Sequence, residues 1–111
     1  MTRITEFYNR DGYLIGFSVD GHANYSIPGK DIVCAAISVL TINTINSITE
    51  LTGTAPSIIE IEGRIEYAVA DIGSVITRTL LSAARIGYQS LAEQYPDNVM
   101  LTGEKRVINV V

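Results

Sequence analysis

Residues 13–51, YLIGFSVDGHANYSIPGKDIVCAAISVLTINTINSITEL, contain the two patterns that decide the fold. From Tyr13 to Val19 large apolar residues occupy every second position, and this period of two predicts a half-buried β-strand. From Asp31 onward the apolar residues recur near helical spacing, and nothing interrupts them before Gly53. We therefore predict a helix with Asp31 as its N-cap. Its first turn, residues 32–36, is wholly apolar and is expected to be deeply buried.

Two hairpins and a second helix complete the predicted elements. Residues 2–9 form a first strand that is joined to the second by a turn over Asn9–Gly12. Residues 57–62 and 65–69 form a second hairpin around Gly63. Residues 74–94 have helical spacing. Ser74 or Asp71 is the candidate cap of this helix, and Pro96 lies just beyond its end.

The order of these elements predicts one α+β domain over residues 1–111. The order is β-β-α-β-β-α-(β), with the two hairpins in one mostly antiparallel sheet and both helices packed on one of its faces. Val99–Leu101 is predicted as a short last strand. Residues 102–111 are predicted as a tail or an edge strand.

Composition narrows the class of protein. The chain has 47% hydrophobic residues, no tryptophan and two phenylalanines, so its core is expected to be aliphatic. A net charge of −4 lacks the clustered basic residues of a nucleic-acid binder. One cysteine permits no internal disulfide, and the N-terminus lacks the apolar run of a signal peptide. We expect a cytoplasmic protein that binds neither nucleic acid nor membrane.

Cys34 is the first residue that can carry chemistry. It is the third residue of the predicted helix. It therefore lies where backbone N–H groups are unpaired and where the positive end of the helix dipole is located. These groups favour a thiolate and can donate to an oxyanion beside the sulfur. The alternative is a structural cysteine, since free cysteine is among the most buried residue types.

His22 is the only histidine of the chain and follows Gly21 at the end of a predicted strand. The loop that begins there, Gly21–Lys30, is longer than most connections, and long loops are often functional. Cysteine and histidine side chains brought together from this loop and the helix start would form a nucleophile and its base. One cysteine and one histidine are fewer than the three or four ligands that zinc requires. Asp20 or Asp31 could complete a set, but nothing in the spacing demands it, so we expect no metal and no cofactor.

The stretch G-H-A at residues 21–23, followed by G-K-D-I-V-C-A-A-I-S at residues 29–38, resembles the signature of the bacterial ribosomal-processing cysteine proteases, the Prp family. The element order, Gly87 and the Tyr95-Pro96 pair resemble that family as well. The resemblance extends to about Leu101.

This resemblance implies a cysteine endopeptidase with His22 and Cys34 as its catalytic pair. It implies removal of an N-terminal extension from one large-subunit ribosomal protein, the twenty-seventh, after an aromatic-rich segment. It further implies a homodimer with a flexible loop between the catalytic residues, here Ala23–Lys30. Asp31 is a candidate for orienting or capping, and Tyr25, Ile27 and Lys30 are candidates for substrate contact.

Two other functions compete with this one. The chain can be a non-catalytic ribosome-assembly interaction protein with a structural Cys34, or a cysteine hydrolase of the same scaffold that cuts a different protein. An inert thiol would favour the first. A reactive thiol without cleavage of the ribosomal extension would favour the second.

Overall fold

A computed structural model describes residues 1–27 and 29–110 of the chain. Its elements are, in chain order, β1 (Thr2–Tyr8), β2 (Leu14–Asp20), α1 (Ile32–Thr52), β3 (Ser57–Ile61), β4 (Arg64–Ala68), α2 (Val75–Gln94) and β5 (Val99–Val107). The strands form one sheet in the order β3-β4-β2-β1-β5. β5 pairs with β1 in parallel, and the other neighbours pair antiparallel. The predicted α+β architecture is therefore confirmed.

Both helices lie on the same face of the sheet. The pairing of β2 with β4 sets Phe17 opposite Tyr67, which places the two rings on one face. The Phe17 ring packs edge-on against Tyr88 of α2, with centroids 5.0 Å apart, and the Tyr67 hydroxyl lies 3.0 Å from the Tyr88 hydroxyl. The Tyr88 hydroxyl also lies 2.8 Å from the Thr41 hydroxyl of α1. This buried polar contact joins the two helices over the sheet. Burial raises the pKa of both Tyr67 and Tyr88.

The two helices cross closely at Gly87 of α2. A Cβ at this position would lie 2.7 Å from a methyl carbon of Leu40 in α1. A side chain at this position would therefore require the Leu40 side chain to move.

The helix boundaries follow the predicted capping residues. Asp31 is the N-cap of α1, and Gly53, in the left-handed conformation with φ +77°, is its C-cap. Ser74, rather than Asp71, caps α2. The Asp71 carboxylate instead accepts from the Gly73 N–H at 2.8 Å.

The burial expected along β2 and α1 was partly wrong. Residues 15–19 of β2 are all buried, because β2 is a central strand and the sheet is covered on both faces. The helices cover one face, while Ile108 and Val110, beyond β5, pack against the core beside Phe7 and Ala68 on the other. In the first turn of α1 only Val33 is buried, and Ile32 is 58% exposed.

The last strand is longer than predicted. β5 extends from Val99 to Val107 as an edge strand, so it includes the first part of the segment 102–111, which was predicted as a tail or an edge strand. Val111 lies outside the described residues. α1 is long and apolar enough to cross a membrane by length and composition, a test that the core helix of a soluble protein also passes.

Candidate active site

A cavity of about 390 Å³ lies at one end of the sheet, where α1 meets the end of β2 and the β3–β4 hairpin. Both His22 and Cys34 are on its wall. The rest of the lining is mixed. Its apolar side chains are those of Val19, Ile37, Ile42, Ile61 and Ile65, and its polar ones are those of Thr2, Ser38, Thr41, Glu60 and Arg64. The fold therefore brings the only cysteine and the only histidine of the chain to one cavity.

The position of His22 is fixed by the glycine before it. Gly21 has φ +93°, and a Cβ there would lie 2.5 Å from the carbonyl oxygen of Met1. Its N–H donates to the Gly63 carbonyl at 2.7 Å, which continues the β2–β4 ladder into the hairpin turn. His22 therefore leaves the strand beside Gly63, where a Cβ would lie 3.8 Å from Nε2 of the imidazole. Only glycine fits this combination of backbone angle and close contact at residue 21.

Cys34 is the third residue of α1, and its side chain is only partly buried. The N–H of Ala23, the residue after His22, lies 3.4 Å from Sγ and donates to it. Ala23 is itself buried, and its carbonyl accepts from the Asn98 side chain at 3.0 Å. The backbone that carries His22 is therefore held directly against the thiol of Cys34.

The Asp31 carboxylate connects this helix start to the loop. Oδ1 accepts from the N–H groups of Val33 and Cys34 at 3.0 and 2.9 Å, and Oδ2 accepts from those of Tyr25 and Ser26 at 3.0 and 3.3 Å. These bonds, the one from Cys34 first, hold the pKa of Asp31 below its ordinary value. The expectation of free N–H groups is wrong for Val33 and Cys34, because Asp31 accepts from both.

The predicted substrate-contact residues lie away from the cavity. Tyr25 is about half exposed, and its ring packs edge-on against Tyr95, with centroids 5.4 Å apart. Ile27 and Lys30 are exposed and are joined by a bond from the Lys30 N–H to the Ile27 carbonyl at 3.0 Å. Pro28, within the predicted loop, lies outside the described residues.

Polar residues of the cavity besides His22 and Cys34 were not predicted from the sequence. Ser38 is exposed on the cavity wall, one helical turn after Cys34. The signal was present, since residues four apart lie on one face of a helix and Ser38 follows Cys34 by four. Glu60 of β3 also lines the cavity. Among the described residues, no three His, Cys, Asp or Glu side chains are grouped closely enough to hold a metal ion.

Comparison with known proteins identifies the family. The family model of cysteine protease Prp matches residues 1–100. The ribosomal processing cysteine protease Prp of Staphylococcus aureus is 28% identical over 95 residues, which are 84% of this chain and 90% of that protein.

Solved structures agree with this match. The chain is similar to an essential ribosomal processing protease Prp from S. aureus with a covalently linked product peptide, at a TM-score of 0.85 and 25% identity, covering 97% of this chain and 100% of that one. It is also similar to the S. aureus protease with a substrate peptide, at a TM-score of 0.79 and 26% identity, covering 92% and 98%. The chain therefore belongs to the Prp family of ribosomal processing cysteine proteases.

Proposed function

We propose that the chain is an endopeptidase that removes the N-terminal extension of the twenty-seventh large-subunit ribosomal protein, with Cys34 as nucleophile and His22 as base. One observation carries the assignment of the pair. A cysteine protease needs a thiol nucleophile, and the only cysteine of this chain shares a cavity wall with its only histidine.

The chemistry proceeds through a thioester. The His22 imidazole takes the proton of the Cys34 thiol, and the thiolate attacks the scissile carbonyl carbon. The tetrahedral intermediate collapses as the imidazolium gives its proton to the leaving amine, so the N-terminal part of the substrate remains bound to Sγ. Water, deprotonated by His22, then hydrolyses the thioester and restores the thiol.

Two groups position this pair. The Ala23 N–H, 3.4 Å from Sγ, stabilises the thiolate and is a donor beside the developing oxyanion. Asp31 orients the catalytic helix start through Val33 and Cys34. It acts on the backbone, since it accepts four N–H groups, and it is a positioning residue rather than a third proton carrier.

The aromatic-rich substrate segment is supported by the character of the cavity. Five aliphatic side chains line it, and burial of an aromatic ring against such a wall is favourable. Tyr25, Ile27 and Lys30 contact substrate in this proposal only after the loop has moved toward the cavity.

The test is incubation of the protein with a synthetic peptide that copies the ribosomal extension and its junction, with the cut site read by mass spectrometry. We expect the wild-type protein to cut the peptide once, after the aromatic segment. We expect no cleavage by Cys34→Ala, with a circular dichroism spectrum like that of wild type as evidence that the variant is folded. An intact peptide with wild-type protein would refute the substrate assignment. Cleavage by Cys34→Ala would refute the nucleophile.

The setting of the reaction is part of the proposal. We infer a homodimer in the cytoplasm that binds neither nucleic acid nor membrane. The dimer is supported by the family resemblance and by exposed apolar side chains on both helices, Val39 and Ile86 among them. Sedimentation velocity tests the dimer, a single monomeric species being the contrary result. Cell fractionation and RNA-binding assays test the rest.

A further inference from the structure

We infer that the outer edge of β3 binds the substrate main chain as an added β-strand that leads into the Cys34 cavity. This inference rests on the proposed function and names the surface that holds the peptide. β3 is the end strand of the sheet, and no described residue, 1–27 or 29–110, pairs with its outer edge. All five of its residues are exposed.

The register of the hairpin identifies the backbone groups that are free. Ile61 and Arg64 close the two-residue turn of Glu62 and Gly63 and so form a hydrogen-bonded pair. Bonded and non-bonded pairs alternate along an antiparallel ladder. Ile58 and Glu60 therefore direct their N–H and C=O groups away from β4, offering two donors and two acceptors to an incoming strand.

This free edge is continuous with the cavity. Glu60 and Ile61 of β3 belong to the same lining as His22 and Cys34. A strand added along β3 and running toward the turn therefore arrives at the wall of the cavity that holds the thiol. An extended chain satisfies the free N–H and C=O groups with its backbone, while alternate side chains select the sequence.

The composition of β3 fits this role. Its three isoleucines, Ile58, Ile59 and Ile61, are 47%, 55% and 52% exposed. An exposed edge strand rich in β-branched residues is an aggregation hazard unless something covers it. An apolar, aromatic-rich peptide segment would cover these side chains during catalysis.

The first test uses copies of the extension peptide, each N-methylated at one backbone position. N-methylation removes a backbone donor without changing the side chain. We expect kcat/KM to fall about 3- to 10-fold at alternate positions on one side of the scissile bond, as for loss of one hydrogen bond, and to change little at the positions between. Losses without this period of two would overturn the inference.

The second test removes a donor from the protein. Ile58→Pro deletes an outward N–H and keeps the bonds to β4, a position where proline is tolerated. We expect KM to rise about 3- to 10-fold with little change in kcat. Lys105→Pro is the matched control, because β5 pairs in parallel with β1 and Lys105 directs its N–H away from β1 at the opposite edge of the sheet.

The remaining outcomes are distinct. Unchanged KM in a folded Ile58→Pro protein would overturn the edge-strand inference and leave the proposed function intact. Ile58→Pro could instead convert a dimer to a monomer and leave KM unchanged at equal active-site concentration. That result would assign the β3 edge to contact with a second copy of the chain and would also overturn the edge-strand inference. A wild-type protein that leaves the peptide uncut would remove the proposed function and this inference together.

Discussion

At the start of α1 the Asp31 carboxylate accepts four backbone N–H groups, whereas at the start of α2 the Ser74 hydroxyl accepts one, from Thr77 at 3.3 Å. Both residues cap a helix of similar length. One oxygen is enough for that purpose, as α2 demonstrates. The second carboxylate oxygen of Asp31 bonds the loop after His22 instead. The start of α1 therefore holds a loop in place as well as beginning a helix.

The largest effect on activity is expected from a change at His22. The start of α2 has no residue that corresponds to His22. His22→Ala should lower kcat/KM for the extension peptide by about 10²- to 10⁴-fold, because the thiol loses its base. The measurement is a single-turnover assay, with circular dichroism as the folding control. Activity within a few-fold of wild type would mean that the base lies elsewhere.

The next effect is expected from Asp31. Asp31→Ala releases the Tyr25 and Ser26 N–H groups of the loop and the helix N–H groups at Cys34 together. Misplacement of the thiol and the loop should lower kcat/KM by roughly 10²-fold. Asp31→Asn, which keeps one oxygen acceptor for the cap, should recover part of this loss. Equal activity of Asp31→Ala and wild type would show that the cap has no positioning role.

Ser74 provides the corresponding change at the other helix. Ser74→Ala should destabilise the fold by about 1 kcal/mol, the usual result of losing an N-cap, and leave kcat/KM unchanged. Urea unfolding and the peptide assay measure the two quantities on one preparation. A loss of activity as large as that of Asp31→Ala would show that the starts of α1 and α2 contribute equally to catalysis.

The smallest effect is a pH dependence that only the α1 cap should have. The pKa of Asp31 is lowered in the folded state from an ordinary value of 3.8, mainly by the Cys34 N–H. Its contribution to stability is therefore present above about pH 4 and is lost as pH falls through the lowered pKa. The difference in Tm between wild type and Asp31→Asn should therefore shrink as the pH is lowered from about 4 through the pKa of Asp31 in the folded state. A constant difference would exclude the ionised carboxylate as its source.

Local signals were sufficient for the helices, whereas the two candidate catalytic residues were named from local signals together with the family resemblance. The boundaries of α1 follow from Asp31 and Gly53, which act within one helical turn of their own positions. The turn at Gly21 and the helix start at Cys34 are likewise local features, so the sequence predicted a site between them. Bringing both side chains to one cavity further required the β3–β4 hairpin beside Gly63.

Contacts between distant residues could not be predicted in the same way. The burial of β2 on both faces depends on Ile108 and Val110, which follow it by about ninety positions and carry no local signal of their destination. The anchor of Ala23 is Asn98, 75 residues away. The sequence places Asp31 at the cap, but only the folded loop directs its second oxygen toward Tyr25 and Ser26.

The most direct test of the central claim is to trap the thioester. The protein is mixed with excess extension peptide, quenched in acid within the first turnover and weighed intact by mass spectrometry. We predict a transient mass increase equal to the N-terminal fragment, located on Cys34 by peptide mapping and absent from Cys34→Ala. Cleavage without any adduct, together with undiminished cleavage by Cys34→Ala, would contradict the account.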